Sequence, residues 1–130
     1  NSLIQICKNL KKKYKIKNSN IVGHSDIAPL RKKDPGEKFP WKKLHKNNIG
    51  IWYKKSNFQS KNFDDKKLEK IFFKNLFRIG YRYFSKTRRT KNDIFLIKAF
   101  QRRFFPKNVT GKIDQKTFNI SHFLANHIKN

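Results

Sequence analysis

The chain has 130 residues, 36% of them hydrophobic and 13 of them Phe, which allows one ordinary domain or two small ones. A single cysteine, Cys7, excludes a disulfide framework and a cysteine-based zinc site, and no run approaches the roughly 20 apolar residues of a membrane span. The net charge of +25, from 33 Lys and Arg against 8 Asp and Glu, favours an anionic partner by itself, but Asn, Ile and Phe are also abundant while Gly and Ala are scarce. That pattern reads as AT-rich coding, so nucleic acid is not the partner expected, and a basic nucleic-acid-binding module is kept only as an alternative.

Leu3, Ile6, Cys7, Leu10 and Tyr14 recur at helical spacing and predict a helix ending near Lys13, with Ser2 as its cap and Cys7 as a small buried thiol. Asn18, Ser19 and Asn20 turn the chain into Ile21 and Val22, a short β-branched strand expected to deliver His24 at its carboxyl end, where sites in α/β folds form. The stretch 21–41, IVGHSDIAPLRKKDPGEKFPW, holds three of the eight acids: Asp26, Asp34 and Glu37. Asp26 reads as a turn cap and Glu37 as solvated. His24 and Asp34 are both good Zn²⁺ ligands, and Pro29, Pro35 and Gly36 shape a loop that can carry Asp34 back beside His24. Two ligands need a third donor from elsewhere.

Lys32 stands two residues before Asp34, and in an extended segment it would share that side, with its ammonium near the metal site. The loop 28–41 is expected to wrap over the site as a rim. Phe39, Pro40 and Trp41 open a short helix to about Lys46 with Leu44 inward and His45 at the surface. Trp52 and Tyr53 suit core packing, or a sugar-binding groove. A polar stretch, 54–66, marks a boundary, so the expected organisation is 1–55, a linker at 56–67, and a helical unit at 68–130. In that unit three stripes follow: Leu68, Ile71, Phe72, Leu76 and Ile79, begun near Asp64 and Asp65 and stopped by Gly80; Ile94, Ile97, Phe100 and Phe104, opened by Asp93; and Thr117, Ile120, Leu124 and Ile128, capped by Asp114. His122 and His127 read as structural or solvated.

The residues GHSDIAPLRKKDPGEKFPW resemble the closing motif of the zinc-dependent N-acetylmuramoyl-L-alanine amidases of the AmpD type, usually GHSDIAPGRKxDPGxxFxW, with Leu30 the departure. The resemblance implies that His24 and Asp34 are the second and third zinc ligands and that Lys32 stabilises the tetrahedral intermediate. In that family the first ligand, a His, and a Glu general base lie upstream, and residues 1–23 contain neither type. With an initial Asn and no Met, the chain reads as the C-terminal piece of a longer protein, its N-terminal half encoded with it or supplied in trans, and little or no turnover is expected of it alone.

The segment 99–118, AFQRRFFPKNVTGKIDQKTF, is similar to the FQ…GxxDxxT signature of the three-helix peptidoglycan-binding domain, with Gln101, Gly111, Asp114 and Thr117 in place. These residues also have a plain use as turn and cap. The fold expected is therefore α/β, the C-terminal part of an amidase sheet domain, followed by a small all-α three-helix domain. The function implied is zinc-assisted hydrolysis of the amide between N-acetylmuramic acid and L-alanine in peptidoglycan or muropeptides, in the bacterial cell envelope or, alternatively, the cytoplasm. A non-catalytic peptidoglycan-binding protein is the rival.

Overall fold

The computed structural model describes residues 2–55 and 63–128, so most of the linker expected at 56–67 lies outside the described residues. In order, the elements are α1 (Ser2–Tyr14), a 3₁₀ turn (Asn18–Asn20), α2 (His24–Ile27), α3 (Trp41–Lys46), α4 (Asp65–Ile79), α5 (Asp93–Phe104) and α6 (Gln115–His127).

The ends of the later helices follow from their side chains. Asp64 accepts the Lys67 N–H at 2.8 Å and starts α4, and Gly80, at φ +132°, ends it where a side chain would be strained. Asp93 accepts the Thr90 N–H at 2.8 Å, and Asp114 accepts the Thr117 N–H at 2.7 Å to start α6. The three helices close on one core in which Phe72, Phe73, Phe100, Phe104 and Phe118 are fully buried. Phe72 meets Phe100 edge-on at 5.5 Å and Phe73 edge-on at 5.4 Å. Such pairs add about 0.5–1.5 kcal/mol each beyond the area they bury. Asn75 on α4 donates to Ser121 Oγ on α6 at 3.2 Å, so the buried polar groups between those helices are paired.

A second, smaller cluster forms around Trp41, Leu44 and Ile49, with Ile4, Cys7, Ile21 and Phe39 packed against it. Trp52 touches both clusters, lying 5.7 Å from Phe104 and stacked on Tyr53 at 4.9 Å. Both rings are half-buried and serve packing.

Two expectations are corrected. Among the described residues there is no strand, so the α/β assignment does not hold and the architecture is all-helical. Ile21 is extended, at φ −98° and ψ 104°, but its carbonyl accepts from the Arg103 guanidinium instead of a neighbouring strand. An extended dipeptide becomes a strand only when a partner takes its hydrogen bonds. Helix α1 spans the expected residues but turns a different face inward. Ile4 and Cys7 are half-buried, whereas Ile6, Leu10 and Tyr14 are 55%, 44% and 62% exposed. On that inner face, one turn after Cys7, the Lys11 ammonium donates to Asn18 Oδ1 and to the Asn48 carbonyl, beside the packing of Ile4 and Cys7 on the Trp41 cluster.

Candidate active site

His24 is the first residue of α2 rather than the last of a strand, and the loop after α2 returns Asp34 to it. Three contacts make that return. The Ala28 carbonyl accepts the N–H groups of Arg31 and Lys32, at 3.2 and 2.9 Å, and folds the chain back on itself. The Ser25 N–H donates to the Asp34 carbonyl at 2.9 Å, which pins the Asp34 backbone to the first turn of α2. Pro35, joined to Asp34 by a cis peptide bond, lies so close to Gly23 that a Cβ there would sit 2.6 Å from Pro35 Cδ and 3.3 Å from the Trp41 ring. Only glycine allows that approach.

The result is that His24 Nδ1 and Asp34 Oδ2 stand 3.2 Å apart, with side chains 46% and 65% exposed. Two ligands held about 2.0–2.1 Å from a tetrahedral ion are separated by roughly 3.3 Å, so the pair fits two positions of a zinc shell and solvent can reach it. No group of three His, Cys, Asp or Glu able to hold a metal exists among the described residues. Lys32 is half-buried on the same loop, in irregular rather than extended backbone. Glu37 and His45 are exposed, and His45 Nδ1 lies 3.1 Å from the Gly50 carbonyl, a tether for the loop after α3.

Sequence reasoning missed the group that holds α2 in place. Asp26 does reach back to the Gly23 N–H at 2.9 Å, as a cap should, but it also binds two residues far along the chain. Arg103 on α5 donates to Asp26 Oδ2 at 3.1 Å, and the Tyr81 hydroxyl donates to Oδ1 at 2.6 Å. The Arg103 guanidinium lies 3.5 Å from the centre of the Trp41 ring. One signal was available: Arg103 falls three residues after Phe100 and seven after Leu96, on the apolar stripe of its helix.

Burial, and then the Asp26 carboxylate, hold the Tyr81 hydroxyl well above its usual pKa near 10.0. Below pH 10 the folded and unfolded chains both keep this proton and its contribution is complete. Above pH 10 the unfolded phenol ionises first, so stability falls as pH rises toward the folded value, by about 1.4 kcal/mol per unit for one proton. Urea midpoints between pH 9 and 11 should therefore drop more steeply for the wild type than for Tyr81→Phe; parallel profiles would contradict the assignment.

No family model matches the chain. N-acetylmuramoyl-L-alanine amidase AmiD of Escherichia coli K12 is 49% identical over 51 residues, 39% of this chain and 18% of that protein. The 1,6-anhydro-N-acetylmuramyl-L-alanine amidase AmpD of Enterobacter cloacae is 46% identical over 43 residues, 33% of this chain and 23% of that protein. The solved structure of E. coli AmiD, in complex with anhydro-N-acetylmuramic acid-L-Ala-D-gamma-Glu-L-Lys, superimposes with a TM-score of 0.79 at 32% identity over 94% of this chain. The chain resembles N-acetylmuramoyl-L-alanine amidases.

AmpDh3 of Pseudomonas aeruginosa matches equally, at a TM-score of 0.79 and 33% identity over 94% of the chain. Because these matches cover nearly all of the chain, they take in both the His24–Asp34 loop and α4 to α6. The chain spans about half the length of these amidase structures, and the stretches aligned by sequence span about a fifth of the curated amidases.

Proposed function

We propose that this chain carries two zinc ligands, His24 and Asp34, and an oxyanion-stabilising lysine, Lys32, of an amidase that cleaves the bond between N-acetylmuramic acid and L-alanine in peptidoglycan or muropeptides. The observation that supports it is the 3.2 Å separation of His24 Nδ1 and Asp34 Oδ2 on a loop whose sequence resembles the closing motif of the amidases. When bound, zinc supplies a hydroxide nucleophile at neutral pH. This chain's own parts are the two donors, the Gly23–Pro35 contact that sets their spacing, and the Lys32 ammonium, whose charge suits the oxygen that becomes anionic when an amide is attacked.

Because His24 and Asp34 have no third His, Cys, Asp or Glu grouped with them among the described residues, little or no muropeptide turnover is expected of this chain by itself. A further donor and a general base, joined to it or supplied in trans, are needed. The cell envelope is the proposed location, with the cytoplasm as the alternative. The same proposal takes 68–130 as a peptidoglycan-binding-like unit after an amidase portion at 1–55.

Zinc titration followed by calorimetry tests the ligand assignment. The wild type should bind weakly, and His24→Ala or Asp34→Asn should each lower the affinity by about tenfold or more, or 1.4 kcal/mol. Unchanged affinity in both variants would remove the metal site. Circular dichroism shows whether either change disturbs the fold.

A further inference from the structure

A cavity of about 530 Å³ opens beside α2, between it and the α4–α5 side of the molecule, and neither His24 nor Asp34 lines it. Its volume falls in the range of small-ligand sites. Three guanidiniums, from Arg78, Arg82 and Arg103, and one carboxylate, Asp26, line it, a formal charge of 3 − 1 = +2.

Asp26 is not available to a ligand, because Gly23, Tyr81 and Arg103 already donate to its two oxygens. Arg103 is 3% exposed, and its Nε has no partner. At the rim, Arg78 and Arg82 are exposed. Arg82 stacks on Phe77 and makes both its hydrogen bonds, to the Phe77 and Tyr81 carbonyls, through Nη1, so its other edge is open. Arg78 has a single long contact, 3.4 Å to Asn126 Oδ1. Next to them, Tyr83 adopts φ +70°, a conformation that aromatic residues rarely take, and leaves its side chain 70% exposed on the cavity lining. Val22, Ile27 and Ile79 supply an apolar wall.

Cationic rim, apolar wall and exposed phenol suit a short peptide with free carboxylates, since guanidinium edges pair with carboxylates in a two-pronged fashion. We propose that this cavity is a second binding site, separate from the His24–Asp34 pair, for the carboxylates of a muramyl peptide. The choice of a muramyl peptide rests on the amidase function proposed above; the preference for carboxylates rests on the cavity alone. The compound bound in the AmiD complex illustrates the fit, with two free carboxylates against one ammonium.

The test is titration of the full chain, freed of metal over a chelating resin so that metal plays no part, with anhydro-N-acetylmuramic acid-L-Ala-D-gamma-Glu-L-Lys and with the same compound amidated at both carboxylates. The wild type is expected to bind the free acid, the amidated compound to bind about tenfold more weakly or worse, and Arg78→Gln/Arg82→Gln to lose a similar factor. The double variant should keep the wild-type circular dichroism and zinc affinity. The proposal is overturned by equal binding of acid and amide, by an unaffected arginine variant, by binding that requires zinc, or by no binding. Loss of the zinc site with this peptide binding intact would remove the amidase function and leave the cavity assignment standing. The reverse pattern would remove only the cavity.

Discussion

Replacing Arg103 by Ala is expected to destabilise the folded chain by about 3–5 kcal/mol, the range for removing one partner of a buried ion pair. The side chains of Arg103 and Asp26 are 3% and 8% exposed, so the carboxylate left behind cannot recover its hydration. Tyr81 and Gly23 would still donate to it, which keeps it hydrogen-bonded but not neutralised. Two further losses accompany the charge: the Ile21 carbonyl loses its guanidinium donors, and Trp41 loses the cation stacked on it. Burial lowers the pKa of Arg103, and Asp26 and then Tyr81 push it back up; an arginine in that position stays charged.

Against a total stability of 5–15 kcal/mol for an ordinary domain, such a loss is large. Its functional consequence should exceed a general loosening, because Asp26 lies two residues after His24 in the same short helix. Urea unfolding of the wild type, Arg103→Ala and Asp26→Asn/Arg103→Met checks the account. The double variant removes both charges and keeps a long side chain over Trp41, so it should recover much of the stability lost in Arg103→Ala. A loss below about 1 kcal/mol in Arg103→Ala would show that the pair does not join α2 to α5.

What could be read from letters alone was what depends on near neighbours. Asp64, Gly80 and Asp114 mark helix ends through bonds within three or four residues, and the turn-formers around Asp34 carry it back to His24 within ten. What could not be read depends on distant partners. Ile21 and Val22 have strand-forming side chains, but the Ile21 carbonyl takes its hydrogen bonds from an arginine 82 residues away. The α1 stripe read from spacing is not the face turned inward, where Lys11 bonds Asn18 and the Asn48 carbonyl, 7 and 37 residues on. The pairing of Arg103 with Asp26 is hidden for the same reason: Asp26 is legible as a cap, but in a chain with 33 basic residues one more arginine carries no visible signal unless its place on an apolar stripe is noticed.

Replacing Gln101 by Leu is expected to cost roughly 2–6 kcal/mol, from about 1–3 kcal/mol for each of two buried groups left without a partner. Gln101 is fully buried. Its Oε1 accepts the N–H groups of Thr110 and Gly111 at 3.0 and 2.9 Å, and its Nε2 donates to the Lys112 carbonyl at 2.8 Å and to Thr117 Oγ1 at 3.1 Å. An amide side chain has two acceptor positions and two donors, so all four are occupied inside the protein. The turn it organises has no slack, because a Cβ on Gly111 would lie 2.6 Å from Ile94 Cγ1, and Gly111 itself adopts φ +76°. The four residues shared with the peptidoglycan-binding signature, Gln101, Gly111, Asp114 and Thr117, thus form one turn-and-cap unit joining α5 to α6. A structural role and a ligand-binding role predict different results for Gln101→Leu. The structural role predicts a lower urea midpoint and an altered near-UV spectrum, with any loss of binding to cell-wall sacculi following the loss of fold. A ligand-binding role predicts an unchanged midpoint with lost sacculus binding, and that outcome would overturn the assignment.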